Sequence, residues 1–262
     1  MKPAPFTYHR ASSVRDAVDL LAELADGEPK LLAGGQSLVA MMNYRMARPG
    51  HLVDLTHVPG LDGIQLEGPT LRIGALATHR AVEKADLGPG FAVLSATMRW
   101  VGHLPIRTRG TVGGSLAHAD ATAEWCLLAV LLDALVIVDG PGGRREIAAR
   151  EFFHGPFTTA LDPDEVIVEV AFGRPAPRAA VAEYADRRGD FAVVAAGVDL
   201  DTGDVVLGGV APVPLLVRGA GSPDEVADAL ELRDEPGVPA AYRRGLVSTL
   251  VARAREEAAC RA

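Results

Sequence analysis

Two short runs carry the residue types that bind phosphate. They are Ala33-Gly34-Gly35-Gln36-Ser37 and Thr111-Val112-Gly113-Gly114-Ser115. Adjacent glycines let the backbone turn its N–H groups inward with no Cβ in the way. A concave row of amides receives anionic oxygens. A helix beginning just beyond adds the positive end of its dipole, and the terminal serine adds a hydroxyl donor. Each run alone fits an ordinary strand–turn–helix connection equally well. The two together, each ending in serine beside an apolar stretch, fit a ligand with two phosphates gripped between loops. Neither matches the G-x-G-x-x-G or G-x-x-x-x-G-K-[ST] phosphate loops, so such a ligand requires a different fold.

The other reactive side chains point to no bond chemistry of the chain's own. Asp120 and Glu124 follow the second run; their alternatives are a solvated loop acid and a helix first-turn acid. His118 lies between the second run and Asp120 and suits packing or hydrogen bonding better than general base work. The seven histidines show no metal-ligand spacing, so neither a metal site nor a catalytic side chain is assigned. Arg107 and Arg109 have three open roles: a phosphate, a partner protein or plain surface. The two cysteines, Cys126 and Cys260, exclude a disulfide scaffold and an all-cysteine iron–sulfur cluster. Cys126 sits in an apolar run and reads as buried and inert.

The elements that must position these residues read as α+β. Ser13 caps a helix over residues 14–24, ended by Asp26-Gly27. Strands are expected at 30–33, 51–55, 71–76, 134–139 and 166–172, and helices at 38–46, 80–84, 91–101 and 121–133. Residues 102–115 read as loop, with Pro105 and three glycines. Gly173-Arg174-Pro175-Ala176-Pro177 breaks both helix and strand and is the linker candidate. Strands at 179–187, 191–200 and 205–210 follow, then a capped helix start at Ser222-Pro223-Asp224-Glu225 and a last helix over 239–259. The net charge of −8 gives no basic face for nucleic acid. Residues 1–13 lack a secretory signal, and the best apolar stretch, 126–138, is interrupted by Asp133 and too short to span a bilayer. The expectation is a cytoplasmic protein without membrane insertion.

The stretch Leu32-Ala33-Gly34-Gly35-Gln36-Ser37-Leu38, and then residues 106–120 (IRTRGTVGGSLAHAD), resembles the FAD-binding medium subunit of the xanthine dehydrogenase and carbon monoxide dehydrogenase family. Arg188-Gly189-Asp190-Phe191-Ala192 and Leu207-Gly208-Gly209-Val210-Ala211 resemble that family's C-terminal flavoprotein domain. The resemblance implies a PCMH-type FAD-binding domain at 1–173, made of two α/β subdomains (roughly 1–57 and 58–173). A small C-terminal domain of antiparallel sheet plus helices, of the CO dehydrogenase flavoprotein type, would follow at 178–262.

It further implies that Leu32 to Leu38 wrap the FAD pyrophosphate and that Thr111, Gly113, Gly114 and Ser115 contact the phosphates and ribityl chain. Glu124, where aspartate is more familiar, would meet the adenosine part, with Asp120 a second candidate. Leu161 falls at a flavin-facing backbone position. Phe191 would lie near the isoalloxazine ring, the alternative being a core phenylalanine. The implied partners are a molybdenum-cofactor large subunit and a [2Fe–2S] small subunit, with a small-molecule electron acceptor. Two other functions remain open at this point: a free-standing FAD-dependent oxidoreductase acting directly on a small molecule, and a flavin-free binding or scaffold module.

Overall fold

A computed structural model describes residues 2–234 and 237–261. The chain starts with β1 (Thr7–Arg10), α1 (Val14–Glu23), β2 (Lys30–Leu32), α2 (Leu38–Asn43) and β3 (His51–Asp54). These strands form a small parallel sheet in the order β1-β3-β2. Helix α1 forms where expected. The Ser13 side chain accepts from the Asp16 amide at 3.0 Å, satisfying one of the free N–H groups of the first turn. Its buried face, Ala17, Val18 and Leu21, packs with Val53 below it and with Ile137, Val166 and Val168 of the next sheet.

The middle of the chain contributes β4 (Ile64–Glu67), β5 (Thr70–Gly74), α3 (His79–Lys84), α4 (Ala92–Thr97), α5 (Leu104–Arg107), α6 (Val112–His118) and α7 (Glu124–Leu131). It continues with β6 (Leu135–Gly140), β7 (Gly143–Ala148), α8 (Ala149–Phe152), β8 (Phe153–Gly155), β9 (Thr158–Thr159) and β10 (Val166–Phe172). The five longer strands make an antiparallel sheet ordered β4-β5-β10-β6-β7. β10 lies at its centre, which is why its sequence is almost continuously apolar.

The remainder is a four-stranded antiparallel meander, β11 (Ala179–Tyr184), β12 (Val194–Asp199), β13 (Asp204–Gly208) and β14 (Leu215–Val217). It is backed by α9 (Pro223–Asp228) and the long α10 (Ala240–Cys260). Ser222 and Glu225 form the full reciprocal cap of α9. Helix α7 is apolar around its whole circumference and buried from Trp125 to Leu131. Such a helix needs partners on every side. One partner is β12, where a Cβ on Gly197 would lie 2.6 Å from Leu127 Cδ2.

Residues 102–115, expected as loop, contain α5 and the first turn of α6. Gly113-Gly114 is therefore helical. Thr111 Oγ1 accepts from the Gly114 amide at 3.1 Å and so starts that helix. Strands β1, β4, β7 and β14 were also not anticipated. β1, β4 and β7 carry mostly exposed residues, so ladder hydrogen bonds hold them without an apolar signature. Helix α7 starts later than expected because Asp120 Oδ1 accepts from the Thr122 amide and hydroxyl, turning the chain first.

Candidate functional site

The first diglycine sits between the end of β2 and the start of α2, and each glycine has its own cause. Gly35 adopts φ 73°, a left-handed conformation that costs glycine nothing. Gly34 is buried against the chain before α6: a Cβ there would lie 2.0 Å from the Arg109 carbonyl oxygen and 2.9 Å from Gly110 Cα. Gly114 faces the same place from the other side, since a Cβ on it would come within 3.8 Å of Ala33 Cβ. Gly34 thus packs against the backbone of Arg109 and Gly110, and Gly114 approaches Ala33.

The two runs do not contribute amides equally. The Val112 amide donates to Ala77 O, that of Gly113 to Ala75 O at 2.8 Å, and that of Gly114 to Thr111 Oγ1. Gly113 is small because Ala75 is behind it, with the Ala75 Cβ 2.6 Å from where its own would be. The amides of Gly34, Gly35, Gln36, Ser37 and Leu38 have no acceptor among the described residues. Amides at a helix start are met by caps, water or a ligand, so this row is open to an acceptor other than the described residues. A groove of about 450 Å³ opens in front of it, walled by Gln36, Val39, Asn43 and Arg109.

The two arginines of the sequence pattern separate here. Arg107 is structural: its Nε donates to Glu83 at 3.1 Å and its Nη1 to the Val101 and Gly102 carbonyls. Arg109 is exposed in the groove, and its guanidinium has no ion pair among the described residues. His79 supports the segment from behind. Its amide donates to Gly110 O, and its Nδ1 accepts from Trp125 Nε1 at 2.9 Å. Burial, helped by the Arg107 charge, lowers its pKa to about 4, so the ring is neutral and keeps that acceptor. Nothing in the spacing of His79 signalled this role; it becomes visible only when α3 lies beside Gly110.

The remaining expected positions lie outside the lining of this groove. Ser115, in α6, is half-buried. Asp120 uses its carboxylate locally, on Thr122. Glu124, half-buried at the first turn of α7, has its carboxyl pushed up to about 7, first by burial and further by the Asp120 charge. Leu161 is half-buried, and its amide donates to Thr159 Oγ1 at 3.3 Å. It follows the β8–β9 hairpin, which touches the end of α6 through Phe157 N to Ala119 O. Phe191 is 62% exposed, which excludes the core alternative. Its turn is nevertheless anchored, because a Cβ on Gly189 would lie 2.7 Å from the His103 ring. His118 packs its ring 5.0 Å from that of Phe157, and burial lowers its pKa. Cys126 is fully buried and its thiol pushed up, hence unreactive. Among the described residues no group of three or more metal-ligating side chains is placed to hold an ion.

Residues 4–175 match the family described as the FAD binding domain in molybdopterin dehydrogenase. The chain belongs to this family. Its cofactor is FAD. This FAD-binding subunit is 42% identical to the 6-hydroxypseudooxynicotine dehydrogenase complex subunit alpha of Paenarthrobacter nicotinovorans, over 74% of this chain and 66% of that one. It is 34% identical to the nicotine 6-hydroxylase medium subunit of the same organism, with 100% of both chains covered. A solved carbon monoxide dehydrogenase from Hydrogenophaga pseudoflava, lacking the Mo-pyranopterin moiety of its cofactor, matches with a TM-score of 0.91 and 31% identity. That match covers 100% of this chain and 99% of that one. The FAD-binding subunit is thus an oxidoreductase subunit of the medium-chain type. Among the described residues no helix is long and apolar enough to cross a membrane.

Proposed function

We propose that this FAD-binding subunit passes electrons from [2Fe–2S] clusters of a small partner subunit to an external small-molecule acceptor, within an assembly whose large subunit carries the molybdenum cofactor. The relatives that support this reading are named as a medium subunit of a nicotine 6-hydroxylase, a medium chain of a carbon monoxide dehydrogenase and an FAD-binding subunit of a xanthine dehydrogenase. The chain's own composition agrees, since two cysteines cannot ligate such clusters. FAD, when bound, supplies the one- and two-electron chemistry, and the protein supplies binding and orientation.

In this reading Leu32, Ala33, Gly34, Gly35, Gln36, Ser37 and Leu38 hold the pyrophosphate. The carrying observation is the row of unpaired amides from Gly34 to Leu38. Thr111, Gly113, Gly114 and Ser115 form the opposing wall; the Gly113 amide is committed to Ala75, so its part is shape. Arg109 adds charge to the phosphate side. Asp120 and Glu124 serve the adenosine end, Leu161 the flavin edge by its backbone, and Phe191 offers an exposed aromatic face near the ring. The domain division at about residue 173 and a cytoplasmic location belong to the same proposal. Purification from the native cell tests it: FAD released on denaturation, with a molybdenum subunit and an iron–sulfur subunit co-purifying, is the expected result. A chain isolated alone that turns over a small molecule overturns the electron-transfer role.

A further inference from the structure

Glu183, in β11, is 6% exposed, and its Oε2 has no hydrogen-bond partner among the described residues. Another buried acid of the same sheet shows the contrast: Asp199 accepts from the Arg174 guanidinium and from the Asp201 amide. Side chains alternate along a strand. Ala179 and Val181 belong to the apolar cluster of α4 and α7, whereas Ala182 packs in the cluster under α10. Tyr184 takes the α10 side too, with its ring against that of Tyr242. Glu183 therefore points away from α10, toward the FAD-binding part of the chain.

Across that joint its charged neighbours are Glu124, from α7, and Arg99, just beyond α4. Arg99 is drawn to Glu257 of α10 at 3.6 Å and lies over the Trp100 ring, and Asp120 adds its charge at Glu124. The Trp100 Nε1 is a second buried polar atom without a partner. Burial, followed by the Glu124 charge and opposed by Arg99, pushes the Glu183 carboxyl up to about 8. A neutral carboxyl presents an O–H donor and a carbonyl acceptor side by side. β11 ends one residue later, and its turn leads to Gly189, lodged at the His103 ring, and to the exposed Phe191. The unsatisfied carboxyl thus lies on the strand end nearest the segment that leads into α6.

We propose that Glu183 is a cofactor-facing residue contributed by the C-terminal sheet, its carboxyl meeting an edge of FAD that sets an N–H beside an acceptor. FAD has two such edges: the isoalloxazine imide, with its N–H between two carbonyls, and the adenine amine beside a ring nitrogen. The inference rests on FAD being the cofactor and assigns a part of the pocket to a residue outside both diglycine runs.

The test titrates the flavin-stripped full chain with FAD, riboflavin and ADP between roughly pH 6 and 9, around the pKa of about 8. Fluorescence reports the flavins and calorimetry reports ADP. Glu183→Ala is expected to lose about tenfold in FAD affinity. Glu183→Gln keeps a donor and an acceptor and should stay within about threefold of the natural chain. The natural chain should bind FAD more weakly as the pH rises through about 8, and Glu183→Gln should not. A loss shared with riboflavin alone supports the isoalloxazine edge; one shared with ADP alone supports the adenine edge. Natural affinity in Glu183→Ala overturns the proposal. So does an unchanged pH profile in Glu183→Gln, including where Glu183→Ala merely melts earlier, since that marks a structural acid. A natural chain that binds no FAD at all fails at the cofactor itself and is told apart by that first titration.

Discussion

The Cα–H face of Gly34 is pressed against the carbonyl oxygen of Arg109, which a Cβ at position 34 would approach to 2.0 Å. This contact links the loop after β2 of the parallel N-terminal sheet to the segment that starts α6. Backbone against backbone cannot yield by rotating a side chain. Gly34→Ala should therefore separate the two segments, costing about 1–3 kcal/mol, and flavin should be lost with the pocket's shape. Absorbance of the purified chain near the flavin bands, alongside its melting curve, reads both effects. A yellow variant of natural stability contradicts the contact.

Arg109 differs from Arg107 in that its guanidinium has no partner among the described residues. Arg109→Ala should leave the melting temperature where it was and weaken FAD by the loss of one charge-assisted contact at an exposed site, about 1 kcal/mol. Added salt should narrow the gap between variant and natural chain. An equal affinity at low salt removes Arg109 from the phosphate side. Arg107→Ala, by contrast, should unsettle the fold, because two part-buried carbonyls and Glu83 lose their donor.

The sequence disclosed those elements whose local chemistry and tertiary setting coincide. The first diglycine lies in the expected strand-to-helix turn, and α1 and α9 carry caps written in Ser13 and in Ser222 with Glu225. The second diglycine was read as a loop because glycine disfavours helix interiors. Here the contact with Ala75 demands a missing Cβ at Gly113, and the Thr111 cap supplies the helix start. His79 and Glu183 left no trace at all. Their significance comes from elements distant in the chain: α7 and Gly110 for the first, and α7 and the segment beyond α4 for the second.

His79 makes stability depend on acid. Its folded pKa of about 4 lies below the ordinary 6.5, so the unfolded chain binds the extra proton between those values. Its contribution is complete above pH 6.5 and lost as the pH falls to about 4. The difference amounts to about 3 kcal/mol. His79→Gln should flatten the stability curve across that window, and denaturant melts at a series of pH values measure it. An identical slope in the variant rules His79 out as the source.

Gly197 sets how closely the C-terminal sheet rides on α7. A Cβ there meets Leu127 Cδ2 at 2.6 Å and Leu131 Cδ2 at 3.0 Å, both ends of flexible side chains in a filled core. Gly197→Ala should cost about 1 kcal/mol and Gly197→Val about 3 kcal/mol, as overpacking does. Calorimetric melting distinguishes them. If valine is accommodated without loss, α7 and β12 are not in register as described.

Glu124 works in the opposite sense to His79. Its folded pKa of about 7 lies above the ordinary 4.5, so the folded chain holds the extra proton between those values. The stabilisation is complete below pH 4.5 and lost as the pH rises through about 7. Replacing the acid with a neutral amide removes that loss. The flavin-free Glu124→Gln chain should be more stable than the natural one above pH 7, by about 1–3 kcal/mol, the lower end reflecting a half-buried side chain. Below pH 4.5 the two should melt together. FAD affinity should move the other way if the carboxyl serves the adenosine end, because glutamine cannot accept through both oxygens. A variant that gains stability at high pH yet binds FAD unchanged would leave Glu124 as a half-buried acid with no part in the site.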